Sequence, residues 1–187
     1  MFGGVFTGGK SRRIGGRPKG LLTALDTGEA LVVRTLRVLR EAGLAPVLVG
    51  DASPYRALVT GVEEIADDPP DIGPLGGLAA LVARGGGGRV IAVACDMPWV
   101  SVGALRALAG HPSRAPVVAA RRAGDAPWEP FFARYDGARV TPVLGALIAD
   151  GRRSFQRLFA ALEVEAFDPG DAREITDWDT PEDVEKL

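Results

Sequence analysis

Short, solidly apolar runs alternate with stretches of helical periodicity along this chain, and that alternation limits the fold more than any other feature. The clearest run is 89–94 (RVIAVA), which carries no polar residue after Arg89 and ends at Cys95-Asp96. A strand apolar at successive positions is covered on both faces, as in a parallel sheet flanked by helices. Runs 46–50 (PVLVG), 62–66 and 115–120 read the same way, as do 129–135 (EPFFARY) and 164–167. The first run, 5–7, is short and is preceded by Gly3 and Gly4, which weakens it as a strand.

Between these runs, Leu31, Thr35, Leu36 and Leu39 fall at helical spacing before Gly43, a plausible helix stop. Further helices are expected over 75–82, 102–108, 140–149 and 154–162, with a short one over 54–59. Thr180 with Pro181 behind it reads as the cap of a last helix. The expected architecture is α/β: three αβα layers around a mostly parallel, Rossmann-like sheet. The 187 residues suit one domain, and an apolar share of 47% is enough for a real core.

Composition excludes several functions. A formal net charge of −2 gives no global attraction to nucleic acid or to an anionic membrane, so any phosphate site must be local. Cys95 and His111 are the only cysteine and histidine, too few for a disulfide or a zinc site of the Cys/His type. Cys95 is expected to pack as a small apolar side chain and His111 to sit in an exposed loop. No secretory signal and no run of roughly 20 apolar residues is visible, so a cytoplasmic location is expected.

Ligands of such sheets bind beyond the carboxyl ends of the strands. Three polar segments follow strands and are therefore expected on one edge. The first is Thr7-Gly8-Gly9-Lys10-Ser11-Arg12-Arg13-Ile14-Gly15-Gly16-Arg17-Pro18-Lys19. Glycines allow close backbone approach, successive amides can form an anion nest, and the Arg and Lys residues add charge for a polyphosphate. A solvated basic loop with no ligand has the same composition. The segment is not a P-loop, because Gly20 rather than Ser or Thr follows Lys19, and no clean GxGxxG is present.

The second segment, 67–77 (DDPPDIGPLGG), carries Asp67, suited to accept hydrogen bonds from a base, and Gly76. Asp68 and Asp71 read as turn residues. The third is Asp96, at the border of core and cleft, where a carboxylate needs a cation beside it or a turn to cap before Pro98. Near the end stands Asp177-Trp178-Asp179, in which Asp179 suits a second metal ligand or a helix cap equally. Trp128 and Glu129 fit the core or rim better than a ligand site.

Taken in order, these motifs resemble the molybdenum cofactor guanylyltransferase family. The family's opening LAGG-x-S/A-x-R-M-G-x-x-K matches residues 6–19, and its GPLAG segment matches Gly73-Pro74-Leu75-Gly76-Gly77. Ala94-Cys95-Asp96-Met97-Pro98, Glu129-Pro130 and Asp179-Thr180-Pro181 extend the match along the chain. The resemblance implies a glycosyltransferase-A-like nucleotidyltransferase fold in one domain, with residues 1–100 as nucleotide half and 101–187 as acceptor half. It implies GMP transfer from GTP to molybdopterin, with Mg²⁺ on Asp96. Phe6, Thr7, Gly8, Gly9, Ser11 and Arg12 would contact the nucleotide, together with Lys19, Asp67, Gly76 and Asp96. Lys19, Asp96 and Arg12 would act in catalysis. Apo molybdoenzymes and cofactor chaperones are the protein partners it implies.

The match is not complete: Ile14 stands for methionine, Phe6-Thr7 for Leu-Ala, and Gly50 where guanine-specific members can carry asparagine. CMP transfer, a sugar-phosphate acceptor and a non-catalytic nucleotide-binding role remain the alternatives.

Overall fold

A computed structural model describes residues 1–7, 18–122 and 126–178. Its seven strands are β1 (Phe2–Phe6), β2 (Ala45–Val49), β3 (Glu63–Ile65), β4 (Arg89–Ala94), β5 (Val117–Arg121), β6 (Trp128–Asp136) and β7 (Val164–Ala166). They form one sheet in the order β3-β2-β1-β4-β6-β5-β7. The helices are α1 (Leu31–Glu41), α2 (Pro74–Arg84), α3 (Val102–Gly110), α4 (Gly137–Ala149) and α5 (Phe155–Ala160).

Alternation along each strand divides the core into two layers. Val5, Leu48, Ile91, Val93, Val118 and Phe132 pack with α1 and α3. Phe6, Val47, Val49, Val90, Ala92 and Tyr135 pack with α2, α4 and α5. The expected three-layer sandwich is what the chain forms. The segment expected as a helix over 54–59 is a single 3-10 turn, Ser53–Tyr55. The expected last helix lies outside the described residues.

Strand β1 starts earlier than its apolar run suggests and includes Gly3 and Gly4. It is the centre of the parallel half, paired with β2 on one side and β4 on the other. The glycines serve packing. A Cβ at Gly3 would stand 2.7 Å from Leu39 Cδ2 of α1, and one at Gly4 would stand 2.6 Å from Leu81 Cδ2 of α2. The two helix layers thus close directly onto the backbone of the middle strand. Gly4→Ala is expected to destabilise the fold by about 1–3 kcal/mol through overpacking, because Leu81 is fully buried and has no room to retreat. A thermal melt of the purified variant checks this.

One strand departs from the parallel plan: β6 runs antiparallel to both β4 and β5. The link from β5 to β6 is residues 122–127. That is too short for the crossover, usually a dozen residues or more, that a parallel pair requires. The reversal brings the first residues of β6 to the edge where the parallel strands end.

Candidate active site

The chain leaves β1 toward β2 on one side and returns through β4 on the other, so β1 and β4 bound the switch point of the sheet. A cleft of about 220 Å³ opens there. Phe6 and Thr7 end β1, while Ala94, Cys95 and Asp96 end β4. Pairing continues one residue past β4, with Cys95 N–H donating to the Phe6 carbonyl at 3.2 Å. The Thr7 amide and hydroxyl both donate to the Val49 carbonyl, at 3.0 and 2.9 Å. The Phe6 carbonyl and Thr7 amide are thereby engaged in the sheet, so backbone contact with a ligand falls to other groups of this segment.

Lys19 enters from a 3-10 turn, Lys19–Leu21. Its Nζ donates to Asp96 Oδ2 at 2.7 Å across 77 residues of sequence. The side chains are only 19% and 14% exposed, so solvent screens this pair weakly. Burial nevertheless pushes the Asp96 carboxyl above the usual carboxylate range; Lys19 works against that shift and the negative charge of Asp177 adds to it. The carboxylate is held at the border of core and cleft, paired with Lys19.

Two more acids line the cleft, Glu129 from the start of β6 and Asp177 from the C-terminal segment. Burial raises the Glu129 carboxyl as well, opposed by Arg122 and reinforced by Asp177. Arg122 joins the two acids, Nε to Glu129 Oε1 at 3.2 Å and Nη2 to Asp177 Oδ1 at 2.6 Å. The apolar lining comes from Phe6, Tyr55, Met97 and Phe131.

The C-terminal segment is fixed at several points. Glu174 accepts from the Ser101 amide and hydroxyl, at 2.7 and 2.6 Å. Trp178 is buried against Ala24 and Leu31, and its amide donates to the Asp96 carbonyl at 3.0 Å. The strand tip bearing Asp96 is therefore held from both ends of the sequence.

Asp67 lies just beyond β3, half-buried, with its carboxyl raised by burial and by Asp71. It is not among the residues lining the Lys19–Asp96 cleft. It flanks the start of α2, where a Cβ at Gly77 would meet both Phe6 Cε1 at 2.8 Å and Asp67 Oδ1 at 3.1 Å. Gly76 closes its own loop: its amide donates to the Gly73 carbonyl and its carbonyl accepts from Asp68. Gly50 has φ +90° and donates to the Ile65 carbonyl at 2.9 Å. That backbone favours glycine and would strain an asparagine side chain. Gly8, Gly9, Ser11, Arg12 and Asp179 lie outside the described residues. Cys95 is buried, and its thiol is pushed up to about 12 by burial, in keeping with a packing role.

The sequence places Glu129 at the core or rim and assigns no role to Arg122, Asp177 or Tyr55; the structure puts Glu129, Asp177 and Tyr55 on the cleft with Arg122 bridging the two acids. The Asp177-Trp178-Asp179 repeat of acids was the only signal for Asp177. Glu129 would have been found from the short link 122–127, which turns β6 around.

Residues 3–166 match the family model described as the MobA-like NTP transferase domain. The chain belongs to this family. A relative from Opitutus terrae, named probable molybdenum cofactor guanylyltransferase, is 34% identical over 195 residues, covering 100% of this chain and 94% of the relative. The molybdenum cofactor guanylyltransferase of Pseudomonas entomophila is 30% identical over 185 residues, covering 95% of this chain and 93% of the relative. Among solved structures, molybdopterin-guanine dinucleotide biosynthesis protein A from Archaeoglobus fulgidus superposes with a TM-score of 0.78 at 23% identity, over 100% of this chain and 96% of that one. At that identity the superposition speaks for the shared MobA-like fold. The chain is a nucleotidyltransferase of the MobA-like family, and among its described residues no helix is long and apolar enough to cross a membrane.

The carboxylates of the cleft carry the hard oxygen donors that Mg²⁺ prefers. Mg²⁺ takes hard oxygen ligands and is held by one or two carboxylates together with substrate phosphates and water. Asp96, mostly buried and ion-paired to Lys19, presents such a carboxylate to the cleft. Among the described residues no three His, Cys, Asp or Glu side chains form a ready metal cage.

Proposed function

We propose that this MobA-like nucleotidyltransferase transfers GMP from GTP to molybdopterin, forming the guanine dinucleotide cofactor and releasing pyrophosphate. The observation that carries the reading is the Lys19–Asp96 pair at 2.7 Å on the cleft between β1 and β4. A cation for phosphate and a carboxylate for metal thus share the edge where this sheet type binds nucleotides.

In the reaction the terminal phosphate oxygen of molybdopterin attacks the α-phosphorus of GTP. The new P–O bond forms as the bond to the β-phosphate bridging oxygen breaks. A phosphate monoester is already ionised near neutral pH, with a second pKa of about 6, so no side chain need remove a proton. The protein's work is positioning and charge neutralisation. Lys19 offsets charge on the departing pyrophosphate. Asp96 would hold Mg²⁺, which when bound neutralises charge on the substrate phosphates. Arg12 and the amides of Gly8, Gly9 and Ser11 are assigned to the triphosphate, and Asp67 and Gly76 to the nucleoside side. Asp179 is assigned as a second metal ligand.

The nucleotide half is residues 1–100 and the acceptor half 101–187. The acceptor wall in this reading is Glu129, Phe131 and Asp177. Its carboxylates suit the N–H groups of a pterin, and Phe131 offers a ring to stack on. The site works in the cytoplasm, and apo molybdoenzymes with their cofactor chaperones are the protein partners proposed to receive the product.

The test incubates the protein with molybdopterin, Mg²⁺ and each nucleoside triphosphate in turn, reading product mass and pyrophosphate. GMP addition with GTP alone is expected. CMP addition, or transfer only to a sugar phosphate, would replace the assignment, and binding without pyrophosphate release on any acceptor would make the chain a non-catalytic nucleotide binder. Calorimetry is expected to give tighter GTP binding with Mg²⁺ than without. Equal affinity in both conditions removes the metal role of Asp96.

A further inference from the structure

Lys19 and Asp96 arrive on separate segments and face the same cleft. Tyr55 stands between those segments. Its side chain is 1% exposed, at the end of the 3-10 turn Ser53–Tyr55 that follows β2. Its backbone is fixed: the amide donates to the Ala52 carbonyl at 2.9 Å, and its carbonyl accepts from Leu58 at 2.8 Å and Val59 at 3.0 Å.

The ring packs closely against the backbone of Gly20. A Cβ at Gly20 would stand 2.8 Å from Tyr55 Cε1 and 3.1 Å from its hydroxyl oxygen, so only glycine admits the ring this closely. The hydroxyl lies beside the Gly20 backbone and 3.9 Å from Cys95 Sγ, within sulfur hydrogen-bond range. Gly20 is the residue after Lys19, and Cys95 is the residue before Asp96. One rigid side chain therefore touches the neighbour of each member of the pair.

We infer that Tyr55 is a positioning residue, a spacer that sets the distance between Lys19 and Asp96 for nucleotidyl transfer. This rests on the reading of those two residues as the phosphate and metal pair. Tyrosine suits the task because its ring has two side-chain torsions, held by burial, and its polar tip reaches Cys95 at the far end. Cys95 suits its place because a thiol is small and makes a weak donor or acceptor at that range. Displacing reacting groups by about 1 Å can cost on the order of 10² in rate, so a loosened spacer acts on turnover.

Tyr55→Phe keeps the ring and removes the hydroxyl. It is expected to lower kcat about tenfold with the KM for GTP within about twofold, as loss of transition-state geometry does. A role confined to core packing would lower the melting temperature and leave kcat per folded molecule unchanged. The decisive arm is a double-mutant cycle with Lys19→Ala. If Tyr55 acts through Lys19, Tyr55→Phe adds little further loss in that background. Native kcat for Tyr55→Phe, or full multiplication of the two losses, overturns the inference.

A crystal structure of Tyr55→Phe provides a readout independent of turnover. The Lys19 Nζ to Asp96 Oδ2 distance is expected to shift from 2.7 Å as the Gly20 and Cys95 segments resettle, and an unchanged contact overturns the spacer role even if the natural acceptor proves to be something other than molybdopterin. Absence of GMP transfer by the unmodified protein would instead strike the functional reading and leave the crystallographic arm standing.

Discussion

Asp96→Ala is expected to reduce turnover by about 10²-fold or more, the usual consequence of removing a group that stabilises transition-state charge. Asp96→Asn is expected to lose as much, because it keeps the shape and hydrogen-bonding reach of the side chain and removes only the charge. Lys19→Ala is expected to fall in the same range for the opposite reason, leaving negative charge on the leaving pyrophosphate without its counter-charge. It also takes away the cation that holds the Asp96 carboxyl down against burial. The carboxyl pKa then rises further, and the acidic limb of the rate profile in Lys19→Ala moves to higher pH. Steady-state pyrophosphate release by variants with native circular dichroism measures all three effects. Near-normal turnover in either alanine variant removes that residue from the mechanism.

The largest stability loss is expected at a residue far from the chemistry. Arg134 sits in β6, 2% exposed, opposite Ile91 and Val118. Its guanidinium donates to the carbonyls of Leu108, Ala109, His111 and Ser113, at 3.3, 3.3, 2.6 and 2.7 Å. These are acceptors at and beyond the end of α3, where the helix leaves carbonyls without partners and carries partial negative charge. Burial lowers the Arg134 pKa from its usual value, and the four carbonyls keep the charge solvated inside the protein. Arg134→Ala is expected to cost about 4 kcal/mol, combining a cavity with orphaned carbonyls. At this chain length that corresponds to a melting point lower by roughly 8–16 °C. Arg134→Met fills most of the space and is expected to recover only part of the loss, and Arg134→Lys is limited by its single nitrogen. Recovery to the native melting point by methionine would show that packing alone is at stake.

The strands and helices were legible because burial on both faces and 3.6-residue spacing are local properties. Runs such as 89–94 and the Leu31–Leu39 pattern carry them without reference to the rest of the chain. Strand direction is not local. The apolar run in β6 reads the same forwards and backwards, and only the length of its link to β5 encoded the reversal. The same divide separates the site residues. Lys19 and Asp96 sit in recognisable segments at strand ends, so sequence alone proposed their meeting. Glu129, Asp177 and Tyr55 acquire their places through tertiary neighbours: a reversed strand, a C-terminal segment anchored by Trp178, and a glycine stripped of its Cβ. Gly3 and Gly4 looked like weakness in the first strand, because a sequence does not reveal that two helices press on it from opposite sides.

The reversal of β6 has a consequence for how such a site can diversify. Its opening residues and the ends of β1 and β4 reach one rim of the sheet from opposite chain directions, so two walls of the cleft belong to separate stretches of sequence. The hairpin leading into Trp128 and Glu129 can change in length or chemistry while the β4–β6 ladder from Arg89↔Asp136 to Val93↔Phe132 keeps its register. One wall can thus be retuned like an interchangeable jaw, while the other, clamped by Lys19 and Asp96, keeps its grip.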